Sequence, residues 1–222
     1  MIKAVLYDMD GTVLDTMPIY EMGWKAADEA FGCHGKAVEL MPMIAGMKDE
    51  DIRALALTRL GDDFPYTEFR RVLAETMETW ISQNGIACKK GAPEIFDRLR
   101  SLGIKQVLVT SSAPPRVFPF LAMAGIENAF DAIITGDMVA HSKPDPEIFL
   151  LGAKAAGCTP DECVVVEDAA NGARAGIAAG MRTVMIPEYP PIPQDVAGHL
   201  WQECGDLSEL YGLIDSCNRS NP

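Results

Sequence analysis

The 222-residue sequence predicts an α/β protein, an open parallel sheet with an inserted helical unit. Short apolar runs alternate with helical stretches over most of the chain, the run near the amino terminus ends in two closely spaced aspartates, and one long segment carries helices without strands. Runs at Ile2–Tyr7, Gln106–Thr110, Ala132–Thr135, Cys163–Glu167 and Thr183–Ile186 are near-continuously apolar, as parallel strands covered on both faces are. Helical stretches at Pro93–Ser101, Arg116–Ala124, Pro146–Ala156 and Asn171–Ala179 separate them, and strand alternating with helix implies right-handed crossovers.

Residues 16–87 break the alternation, with helical patterns at Ile19–Phe31, Lys48–Arg59 and Thr67–Gln83. The division expected is a core of residues 1–15 and 88–222 and a helical cap of residues 16–87, with hinges near Leu14–Pro18 and Asn84–Pro93. Such a cap would sit over the carboxyl ends of the strands, where open α/β sheets bind ligands. Pro187–Pro193 reads as a surface loop.

Composition narrows the function. A net charge of −13 argues against nucleic-acid binding, which needs many Lys and Arg contacts to phosphate. No apolar run reaches the ~18 residues of a membrane span, and MIKAVLYDMDGT does not read as a signal peptide, so a cytoplasmic protein is expected. Six cysteines without a C-x-x-C pair read as reduced thiols, and three isolated histidines suggest no zinc site. A monomer is the default expectation.

Asp8 and Asp10 lie two apart on an extended segment, so their side chains point to one side and repel. The pair could simply cap a turn. Gly11-Thr12 directly afterwards favours chemistry, because glycine permits a sharp turn and close approach of backbone amides to a phosphate. A magnesium ion would relieve the repulsion and accept phosphate oxygens as well. Thr110 closes an apolar strand and would present its hydroxyl at the same edge, Lys143 sits in a loop stiffened by Pro144 and Pro146, and Glu167-Asp168 follows another apolar run.

The segment DMDGTVLD resembles the first motif of the haloacid dehalogenase superfamily, and LVTSS, the Lys143 loop and Glu167-Asp168 resemble its later motifs in order. The placement of the cap is similar to the subgroup of sugar-phosphate phosphatases and β-phosphoglucomutase. The resemblance implies a Rossmann-like core, Asp8 as a nucleophile that becomes transiently phosphorylated, and Asp10 as general acid and base. It implies that Thr110, the Ser111 amide and Lys143 bind phosphate. Magnesium would be held by Asp8, the Asp10 backbone carbonyl and Asp168, with Glu167 bound directly or through water. The expected partner is a small phosphate ester, with Tyr20, Trp24 and Lys48 as candidates for specificity, although for the two aromatics core packing is the favoured reading. Lys48 could also pair with Asp49, Glu50 or Asp51, and His141 reads as a loop residue. Tyr20 stands where the mutase has a cap histidine, and Thr12 where it has a valine, which favours hydrolysis over a mutase reaction. A binding protein on the same fold is the alternative from another class, and it would be supported by loss of the residues that are present here.

Overall fold

A computed structural model describes residues 1–220. In chain order, β1 (Ala4–Tyr7) leads into α1 (Met17–Ala30), a 3₁₀ turn at Val38–Leu40 running into α2 (Met41–Ile44), then α3 (Asp49–Leu60) and α4 (Tyr66–Asn84). There follow α5 (Ala92–Ser101), β2 (Lys105–Val109), α6 (Pro114–Met123), β3 (Ala132–Ile134), α7 (Glu147–Ala156), β4 (Cys163–Glu167) and α8 (Ala170–Ala178). The chain continues through β5 (Arg182–Met185), α9 (Gln194–Ala197), β6 (Gln202–Glu203) and α10 (Leu210–Ser220).

The six strands form one sheet in the order β3-β2-β1-β4-β5-β6, with every pairing parallel. β1 is central, Ala4 lying beside both Lys105 and Cys163, and Tyr7 beside both Leu108 and Val166. The order reverses there, and a crevice opens at the carboxyl ends of β1 and β4, directly before Asp8 and Asp168. Alternation along the strands separates two apolar layers. Val5, Tyr7, Val164 and Val166 pack with Ile95, Phe96, Leu121 and Ile214 on one face, whereas Leu6, Val109 and Val165 meet Ile148, Phe149 and Ala175 on the other.

Between β1 and α5 the described structure is helical, as expected. α1 packs on α4 through Trp24 and Phe69, whose ring centroids lie 5.2 Å apart, and Phe31 and Phe64 extend the cluster. Asp28, buried near the end of α1, organises the following loop by accepting from the Gly35, Ala37 and Val38 amides. The two connections run side by side, the Asp15 amide donating to Ala87 O and the Lys89 amide to Val13 O.

α6 begins two residues before the expected Arg116, because Pro114 and Pro115 occupy positions where a helix needs no amide donor. α2, α9, β6 and α10 add to the elements that the sequence pattern predicts. The two-residue β6 is too short to carry a period, and α10 buries only Leu210 and Ile214. All six cysteines are free thiols. No helix among the described residues is long and apolar enough to cross a membrane.

Candidate active site

The carboxyl ends of β1, β2 and β4 bring Asp8, Thr110 and Asp168 to one edge of the sheet, and all three are buried. The chain after β1 turns through Gly11 at φ +82°, and a Cβ there would lie 2.3 Å from Asp168 Oδ2. Glycine therefore lets the loop pass against a carboxylate from a different strand. Thr12 Oγ1 donates to Asp168 Oδ1 at 3.0 Å, tying the same two strand ends together.

Lys143 reaches the site from the loop before α7 with its side chain fully buried. Its Nζ donates to Asp8 Oδ1 and Glu167 Oε1, each at 2.6 Å, and to Val109 O at 3.3 Å. Glu167 Oε2 accepts the Ala169 amide at 3.3 Å. A Cβ on Gly172 would lie 1.8 Å from Glu167 Oε1, so the first turn of α8 accommodates that carboxylate only through a glycine.

Burial disfavours the charged form of each acid. It raises Asp8 to about 7, the charges of Glu167 and Asp10 adding to the effect while Lys143 opposes it. Burial, then Glu167 and Asp8, hold Asp168 well above the usual carboxylate range. The Lys143 ammonium would be lowered by its burial, but Asp8 and Glu167 outweigh this and raise it.

Asp8, Glu167 and Asp168 each place a carboxylate oxygen within 4.8 Å of the others. Three buried carboxylates around one ammonium leave negative charge uncompensated, and an all-oxygen donor set of this kind suits a hard divalent cation. Asp145 and Glu147 approach His141 more exposed, where Glu147 already accepts from the Ala140 and His141 amides and lies 3.1 Å from His141 Nδ1.

A cavity of about 630 Å³ opens over Asp8, Asp10, Thr110 and Asp168. Asp10 is held by Thr16 Oγ1 at 2.8 Å, Ser112 Oγ at 3.1 Å and Arg116 Nη2 at 3.3 Å. The Arg116 guanidinium carbon lies 4.4 Å from the Tyr20 ring centroid and 4.9 Å from that of Phe120. Tyr20, Trp24 and Lys48 all line the cavity. Trp24 is only 2% exposed, so most of its surface belongs to the α1–α4 core.

Lys48 does not pair with its acidic neighbours. Its Nζ donates to Val139 O, while Asp49 takes Arg70 Nε and the Tyr66 hydroxyl, each at 2.9 Å. Arg116 and Ser112 escaped the sequence reading. The available signal was their position shortly after Thr110 at a strand end, where a helix start places side chains at the same edge.

The segment Met43–Lys48 is clasped to the rest of the molecule. Ser111 Oγ donates to Gly46 O at 2.6 Å, Asn171 Nδ2 to Met43 O at 3.0 Å and Ala45 O at 3.1 Å, and the Lys48 amide to Ser142 Oγ at 3.1 Å. Asn171 is itself oriented by Arg174 Nη1, which donates to its Oδ1 at 3.1 Å. The Ser111 hydroxyl is thus engaged with this segment, while its amide belongs to the loop after β2.

Comparison with known proteins gives the arrangement a lineage. Hexitol phosphatase A of Escherichia coli is 33% identical over 195 residues, covering 83% of this chain and 82% of its own. Fructose-1-phosphate phosphatase YqaB of Escherichia coli is 33% identical over 185 residues, covering 82% and 94%. The crystal structure of CbbY from Rhodobacter sphaeroides in complex with phosphate superposes with a TM-score of 0.76 at 25% identity, covering 95% of this chain and 96% of that one. The haloacid dehalogenase-like hydrolase profile matches residues 2–180, and the chain belongs to that family.

Proposed function

We propose that this protein is a magnesium-dependent phosphatase that hydrolyses a small phosphorylated carbohydrate through an aspartyl phosphate on Asp8. The observation that carries the reading is Lys143, buried between Asp8 and Glu167 with Asp168 alongside, in a chain whose relatives are named for hexitol and fructose 1-phosphate phosphatases. Residues 1–15 and 88–222 would form the catalytic core and residues 16–87 the cap.

Asp8, Asp168 and the Asp10 carbonyl would hold magnesium, with Glu167 nearby. The bound ion supplies positive charge that offsets the phosphate oxygens beside these carboxylates. Glu167 is already bonded to Lys143, which favours a positioning role for it. An oxygen of Asp8 attacks phosphorus as the ester bond breaks, and Asp10 gives a proton to the departing alkoxide. Asp10 then takes a proton from a water molecule whose oxygen attacks the same phosphorus, releasing phosphate and restoring the Asp8 carboxylate. Thr110 and Lys143 hold phosphate oxygens during both steps, and since phosphoryl transfer demands mainly positioning and charge stabilisation, these groups suffice. Tyr20, seated over Arg116 in place of a cap histidine, supports water as the acceptor.

The test is phosphate release from 4-nitrophenyl phosphate and a panel of hexose and hexitol phosphates, with and without magnesium. Magnesium-dependent release from at least one of these esters is expected, and its absence from all of them would refute the reading. A hexose 1-phosphate supplied with a trace of its bisphosphate should yield inorganic phosphate, whereas isomerisation to the 6-phosphate without it would mark a mutase.

A further inference from the structure

Arg116 Nε is the one fully buried side-chain nitrogen or oxygen among the described residues that lacks a hydrogen-bond partner. Buried donors are nearly always paired; Nε has no surface that a ligand could reach, but Nη1 is likewise unbonded and is not fully buried. A guanidinium carries five N–H donors, yet the only side-chain hydrogen bond Arg116 makes here is the 3.3 Å contact from Nη2 to Asp10. Tyr20 and Phe120 stack on the guanidinium and fix its plane, so its in-plane N–H groups are what remain for bonding. The side chain is 26% exposed and lines the same cavity as Asp10.

We infer that Arg116 is a specificity-determining residue whose unused Nη1 donors bind a hydroxyl or carbonyl oxygen on the leaving group of the substrate. The inference rests on the phosphatase reading, in which Asp10 protonates the ester oxygen of that leaving group. A donor group bonded to Asp10 therefore lies beside the carbon chain being released. Charge selects the chemistry of the acceptor. Asp10 already neutralises the guanidinium and Arg70 is paired with Asp49, while Lys48, bonded only to Val139 O, keeps its charge elsewhere on the wall. Glu50 and Asp137 add further negative charge to the wall. At Arg116 itself a second phosphate or a carboxylate would meet the Asp10 charge already seated on the guanidinium, whereas a neutral polyol or sugar offers oxygen acceptors without that cost. The assignment places part of the substrate recognition on α6, outside the helical insertion.

The experiment compares kcat/KM for the best hexose or hexitol monophosphate, its bisphosphate and 4-nitrophenyl phosphate in wild type, Arg116→Met and Arg116→Lys. In Arg116→Met the ratio of carbohydrate to aryl turnover should fall about 10- to 100-fold, the effect of losing a hydrogen bond from a charged donor. Arg116→Lys keeps the charge but lacks the planar fork, so its ratio should fall as well, and it serves if the Met variant does not fold. An unchanged ratio, whether both rates persist or both fall equally, would overturn the inference, as would a loss confined to the bisphosphate. Failure of the phosphatase reading is distinct, since wild type would then turn over none of the esters.

Discussion

Asp8 and Glu167 share one buried amine, Lys143, with the Asp168 carboxylate alongside, and a single ammonium cannot balance three carboxylates in a desolvated site. The imbalance appears as raised pKa values, driven first by burial, at Asp8 and Asp168. A carboxyl whose pKa is raised by folding stabilises the native state below its unfolded pKa, and that contribution is lost as pH rises through the folded pKa. Asp168→Asn stays neutral throughout. In buffer free of divalent ions its melting temperature should therefore gain on wild type as pH rises above about 4, the ordinary Asp value, and parallel pH profiles would count against burial as the cause. Magnesium should then raise the melting temperature of wild type much more than that of the variant, because binding to the native state alone stabilises it. At this scale the sequence was informative where a functional side chain follows an apolar run, as Asp8, Thr110 and Asp168 do. Arg116 was not legible, because its value lies in an unpaired nitrogen and two aromatic neighbours that no local pattern records.

Secondary-structure elements convert these residues into a site by ending at the right places. β4 matches its apolar run residue for residue, and β1 ends one residue before Asp8, since buried parallel strands have little to read except continuous hydrophobicity. β6 and α9 carry no such signal; their places depend on Thr183 O and Met185 O accepting the Trp201 and Cys204 amides, and on Val196 packing against Ala173. The start of α8 is the element most tightly fitted to chemistry. Gly172→Ala would drive a methyl group into Glu167, displacing the carboxylate that positions Lys143. Steady-state kinetics should show kcat reduced at least about tenfold, the cost of disturbing one charged hydrogen bond, while helix propensity alone would predict a neutral or favourable change. Unchanged kcat in the Gly172→Ala protein would show that Glu167 can relax without moving Lys143.

On the scale of the whole molecule, an inserted helical segment lies against the carboxyl edge of a parallel sheet and is clasped there by Ser111 and Asn171. The helical character of residues 16–87 could be read from the pattern, but the clasp joins positions 128 apart and depends on backbone carbonyls that every sequence possesses. Asn171→Ala removes two of its hydrogen bonds without touching the acidic cluster. A several-fold rise in KM with little loss of kcat is expected in steady-state assays, since the clasped segment lines the cavity over Asp8. Equal KM values would mean that the segment is held by packing alone. The most direct measurement is magnesium-dependent phosphate release by Asp8→Asn beside wild type, with melting curves recorded in parallel. With Asp8 as the nucleophile, kcat falls by about ten-thousand-fold or more in a protein that still folds. Turnover within about tenfold of wild type would contradict a covalent role for Asp8.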